Sequence, residues 1–165
     1  MERWHQFKDS IDHRPTPYFR LPSGTGGSVG LSDQRGRHNL VLLFLEEAEE
    51  ARLRQVLERF AAARIRYDRE DSKVLFILPV DERRVEALTS SLSPAYPLLA
   101  DPGGEVRQRY ATLLTDDNEH EGALIFVLDR FRGCFAALRT PDPAAPALQD
   151  EILEWLSFIE LQCPE

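Results

Sequence analysis

A chain of 165 residues, 42% of them hydrophobic and 29% charged, has the length of one ordinary domain and enough apolar material for a full core. Twenty Lys and Arg against twenty-eight Asp and Glu leave a formal charge of -8, which argues against nucleic acid or an anionic lipid surface as a partner. Only two cysteines, Cys134 and Cys163, are present, which excludes a disulfide-rich framework.

The opening MERWHQFKDS is too polar for a secretory segment, and the apolar run Leu40 to Leu45 is far short of the ~20 residues that cross a bilayer. A cytoplasmic protein is expected. Residues 1–30 carry Pro15, Pro17 and Pro22 and then PSGTGGSVG, so they read as an extended or turning arm, with Trp4, Phe7, Tyr18 and Phe19 as anchors for partial docking. PSGTGGSVG lacks the Gly-Lys-Ser/Thr ending of a phosphate loop and is read as a turn. Residues 31–165 form the domain proper.

Asn39 to Leu45 is a continuous apolar strand, as expected for a central strand covered on both faces. Glu46, Glu47, Glu49 and Glu50 then open a helix with Leu53, Val56, Leu57, Phe60 and Ala61 on its apolar face. Lys73 to Leu78 is the next strand, and Asp81 caps a helix presenting Val85, Leu88 and Leu92. This alternation predicts parallel pairing through right-handed crossovers. Asp101-Pro102-Gly103-Gly104 turns into a short helix around Val106 to Tyr110. Thr115 to Glu121 is a polar loop, Ala123 to Leu128 a strand, and Gly133 to Leu138 its antiparallel partner. After Pro141, Pro143 and Pro146, a last helix offers Leu148, Ile152, Trp155, Leu156 and Ile159. The whole describes an α/β protein, a three-layer fold with a central mixed sheet and flanking helices.

The ordered segments LSDQRG (31–36), NLVLLFL (39–45), YPLLADPGGEVRQRY (96–110) and GALIFVLDRFRG (122–133), with the terminal EILEWLSFIELQCPE, resemble the redoxin branch of the thioredoxin-like superfamily, especially the bacterial, peroxiredoxin-related AhpC/TSA group. The resemblance implies a thioredoxin-like fold. It also implies a reactive cysteine where the strand 39–45 gives way to a helix, because backbone N–H groups there favour a thiolate. The matching stretch reads EEAEEARLRQVLERF, with no cysteine and no serine. Glu46, Glu47, Glu49 and Glu50 would oppose a thiolate or peroxide anion. The arginine that the family often places before the late strand corresponds to Glu121, and no Ile/Thr-Pro pair matches the family's proline.

Cys134, in Gly133-Cys134-Phe135-Ala136, reads as a strand or core residue. Cys163 lies at the terminus beside Gln162 and Pro164, without a cationic activator, and is the alternative catalytic candidate. A Cys134 to Cys163 disulfide is left open. His5, His13, His38 and His120 form no metal signature, and Asp116, Asp117, Glu119, His120 and Glu121 read as a solvated loop, so neither metal nor cofactor is expected. Arg52, Arg59, Arg64, Arg66 and Arg69 are interrupted by glutamates and form no nucleic-acid strip. The expectation is a noncatalytic or degenerate domain with a binding or assembly role, its partner another protein or a second copy through the Trp155 face. The alternative is a thiol-disulfide oxidoreductase or peroxidase using Cys163.

Overall fold

The computed structural model describes residues 3–7, 15–33, 35–114 and 122–162. The expected strands are all present. β1 is His5–Gln6, β2 Arg20–Pro22, β3 Ser28–Gly30, β4 Asn39–Phe44, β5 Ser72–Leu78, β6 Leu98–Ala100, β7 Ala123–Leu128 and β8 Cys134–Thr140. The helices are α1 Glu50–Ala62, α2 Arg64–Arg69, α3 Glu82–Leu92, α4 Glu105–Ala111 and α5 Pro146–Gln162.

Six strands form one mixed sheet in the order β1-β8-β7-β4-β5-β6. β4, β5 and β6 are parallel, and β7 runs antiparallel to β4, pairing Leu40 with Leu128 and Phe44 with Leu124. The steps from β4 to β5 and from β5 to β6 go the same way across the sheet. Right-handed crossovers therefore put α1, α2 and α3 on one face. β4 alternates between two cores: Val41 and Leu43 meet those helices and α5, whereas Leu40, Leu42 and Phe44 meet Phe19, Val106 and Tyr110. Burial on both faces is why the strand reads as an unbroken apolar run. This is the thioredoxin-like α/β architecture with flanking helices.

The two faces are covered differently. The second face carries only α4 among the described helices, and the amino-terminal segment completes it through Phe19, Leu21 and Leu31. The Tyr110 hydroxyl donates to the Pro17 carbonyl at 2.7 Å, and Arg109 donates to that of Tyr18 at 3.0 Å. Tyr18 itself stays exposed. Residues 3–7 extend the sheet edge at β8, with Trp4 buried against Trp155 at a ring separation of 6.1 Å. The glycine-rich run is the β2–β3 hairpin turn. Gly24 lies so close to α3 that a Cβ there would meet the Val85 carbonyl at 2.7 Å, which leaves no room for a larger residue.

Asp81 caps α3 as expected, its carboxylate accepting from the Arg84 amide at 2.9 Å. Two readings of α1 are corrected. The helix begins at Glu50, after an extended Glu49, so Glu46, Glu47 and Glu49 precede it. A start at Glu46 would set Glu46 and Glu50 four residues apart on one helix face, and such like-charged pairs are unfavourable. Ala61 is exposed, and Ala63, just past the helix end, is buried instead.

Candidate functional site

The carboxyl end of β4 is where the sequence places the altered site. Leu45 leaves the strand buried, its amide donating to the Ile77 carbonyl at 2.9 Å, and the next four residues emerge into solvent. Glu46 and Glu47 line a cleft of about 210 Å³ together with Leu53, Val56, Ala123 and the Pro141–Ala144 turn. Glu49 takes the position before the helix without a side-chain cap bond. Glu50 is drawn away toward α3, where its carboxylate accepts from the Ser91 hydroxyl at 2.6 Å. The structure thus brings Glu46 and Glu47 to the cleft and sets Glu50 outside it. Glu121 and Cys163, the other two expected site residues, lie outside the described residues, as do Asp116, Asp117, Glu119, His120 and His13.

Gly122 opens β7 at φ +97°, and a Cβ there would meet the Thr140 carbonyl at 2.8 Å, so both conformation and space call for glycine. The turn beyond β8 is held by Asp142, which accepts from the Ala144 amide at 3.2 Å, and by Arg59, whose Nε donates to the Ala144 carbonyl at 3.0 Å.

One residue of this region went unnoticed in the sequence. Arg107 of α4 donates one nitrogen to the Phe44 carbonyl at 3.1 Å and another to the Gly122 carbonyl. It ties the end of β4 to the start of β7. Asp101 positions it by accepting from the Val106 and Arg107 amides at 3.1 Å, so the Asp-Pro-Gly-Gly turn fixes where α4 begins. Burial pulls the Arg107 pKa down and Glu46 opposes that shift. The guanidinium remains a cation in ordinary conditions. Its only sequence signal was its place in the segment 96–110.

Cys134 is a free thiol at the other end of the sheet. It pairs with Leu128, five residues along β7 from Ala123, or roughly 17 Å at strand spacing. Its Sγ lies 3.6 Å from the Thr16 hydroxyl, and burial pushes its pKa up to about 11, with the Thr16 contact pulling the other way. A thiol in that state is a poor nucleophile near neutral pH. The site therefore combines a redoxin scaffold with degenerate cysteine chemistry: glutamates at the strand end, and the one described cysteine remote and protonated.

Among the described residues no group of three or more His, Cys, Asp and Glu side chains could hold a metal ion. No described helix is long and apolar enough to cross a membrane.

No curated protein matches the chain in sequence. Among solved structures, it is similar to the peroxidoxin BcpB of Mycobacterium tuberculosis, with a TM-score of 0.74 at 21% identity over 88% of this chain and 96% of that one. It is also similar to the bacterioferritin comigratory protein of Xanthomonas campestris, with a TM-score of 0.69 at 18% identity over 85% and 90%. A mutant of peroxiredoxin 6 from Arenicola marina gives 0.74 at 14% identity over 92% and 74%. At such identities the likeness is one of fold. The sequence itself matches the AhpC/TSA family over residues 13–132, which spans β2 through β7 and the whole β4–α1 region, and on that match the chain belongs to the AhpC/TSA family.

Proposed function

We propose that this chain is a noncatalytic member of its family that works by binding or assembly. One observation carries the reading. Where β4 ends and α1 begins, the residues are Glu46, Glu47, Ala48 and Glu49, so the position that resemblance assigns to a thiolate holds carboxylates and an alanine. A neighbouring carboxylate raises a thiol pKa, and a peroxide anion would meet the same repulsion. Cys134 does not replace the missing group, being at the opposite end of the sheet with its proton held. A cytoplasmic setting and a division of the chain near residue 30 belong to the same proposal, the former supported by the low cysteine content.

The test measures hydrogen-peroxide consumption and disulfide reduction with a competent electron donor for the native chain and for Cys134→Ser and Cys163→Ser. Equal background rates for all three are expected. Turnover abolished by Cys163→Ser would replace this reading with a peroxidase or oxidoreductase using a displaced terminal cysteine.

A further inference from the structure

The cleft between the β4–α1 loop and the Pro141–Ala144 turn has a divided lining. Leu53, Val56 and Ala123 are buried and apolar, while Glu46, Glu47 and Asp142 are exposed carboxylates. Its volume of about 210 Å³ is below the ~300–1,000 Å³ of pockets that enclose a whole small molecule, and suits a single long side chain. Neither Glu46 nor Glu47 forms an ion pair with another described residue.

The cations around this space are engaged elsewhere or held back from its mouth: Arg59 donates to the Ala144 carbonyl behind the wall, and Arg107 acts on Glu46 through charge without forming an ion pair with it. Arg52 also lines the cleft, one guanidinium against three carboxylates. Arg107 lies nearby but spends nitrogens on the Phe44 and Gly122 carbonyls. An apolar wall with an acidic mouth matches a side chain that has a methylene stem and a cationic tip. The net charge of -8 draws basic segments from a distance. We infer that the cleft receives a lysine or arginine side chain from an exposed basic segment of a protein partner. The inference rests on the binding reading above and gives that partner its chemistry.

The full chain, labelled with nitrogen-15, is titrated with the acetylated and amidated peptide Gly-Ala-Lys-Ala-Gly while the amides of Glu46, Glu47, Ala48 and Ala123 are followed. Saturable shifts confined to this region are expected, with a Kd of about 1 mM or tighter. Norleucine in place of lysine keeps the stem and loses the charge, and should weaken binding about tenfold or more. The double variant Glu46→Lys with Glu47→Lys should do the same, and both positions are exposed, so the fold is not at risk. Glu86→Lys, on the exposed side of α3, should leave affinity within about twofold. Absence of saturable shifts, equal binding of the norleucine peptide, or an unaffected double variant would each overturn the cleft assignment. Peroxide turnover in the same samples would instead overturn the noncatalytic reading, whatever the peptide does.

Discussion

The two ends of the sheet are built on opposite terms. At the end where the parallel strands terminate, Glu46, Glu47 and Glu49 stand in solvent, the first two lining the cleft, and Arg107 and Arg59 supply cross-ties to backbone carbonyls. At the other end, Arg132 is 7% exposed and donates to the carbonyls of Leu31 at 2.6 Å, His38 at 2.7 Å and Asp33 at 2.8 Å. Around it, Glu160 accepts at 2.7 Å from both Asn39 and Arg130. The more extensive of the two polar networks sits away from the position where the resemblance expects chemistry. The strand order, the crossovers and this polar network are all present in a chain that has Glu46, Glu47 and Glu49, and no cysteine, at the end of β4.

The sharpest way to break this contrast is at Arg132. Arg132→Ala should lower unfolding stability by about 3 kcal/mol or more, since it strips a charged donor from three carbonyls. Denaturant melts read it directly. Because Arg132 sits at φ +74°, Arg132→Gly should recover roughly 1 kcal/mol relative to the alanine variant. If both variants melt like the native chain, the anchored end is not an anchor.

Cys134 sharpens the same comparison through pH. A thiol held at about 11 rather than the ordinary 9.0 should alkylate about a hundredfold more slowly than a free thiol at pH 8. The protonated form is favoured by the fold, so stability should fall as pH climbs from about 9 toward about 11, and Cys134→Ser should flatten that decline. Iodoacetamide labelling of the Cys163→Ser variant isolates the site. Fast native-state labelling at pH 8 would contradict the burial assigned to it.

Arg107→Met keeps the stem and removes the cross-tie at the open end. The expected loss is about 1–2 kcal/mol, less than at Arg132, because water can reach part of this region. A loss equal to that of Arg132→Ala would erase the distinction between the ends. Smallest of all, Glu46→Gln and Glu47→Gln should each change stability by less than about 0.5 kcal/mol, for both residues are exposed and the attraction of Glu46 to Arg107 acts without a direct ion pair.

The strands were legible because their requirement is local: six consecutive apolar residues at 40–45 or 123–128 have to be covered on both faces whatever covers them. The α3 start was legible for the same reason, since Asp81 needs only the amide three residues on. The α1 start was not, because acidic composition signals a helix beginning without fixing its residue. Arg107 and Arg132 were least legible. Arg132 meets the Leu31 carbonyl across 101 positions of sequence and Arg107 the Phe44 carbonyl across 63, and no pattern along the chain encodes such a meeting. The missing cysteine was plain from the sequence, whereas the cleft was not, because its walls come from α1, β7 and the turn after β8.

The pairing of Trp4 with Trp155 gives the molecule an optical reporter. These are the two tryptophans of the chain, their ring centroids are 6.1 Å apart, and the Trp4 indole donates to Glu151 at 2.8 Å. All indole emission therefore comes from the seam where residues 3–7 lie along β8 and α5. Departure of Trp4 from Trp155 and from Glu151 should change that emission and alter the near-ultraviolet dichroism of both rings. Peeling of the amino-terminal strand can consequently be watched without a label, and distinguished from global unfolding by the far-ultraviolet signal of the helices.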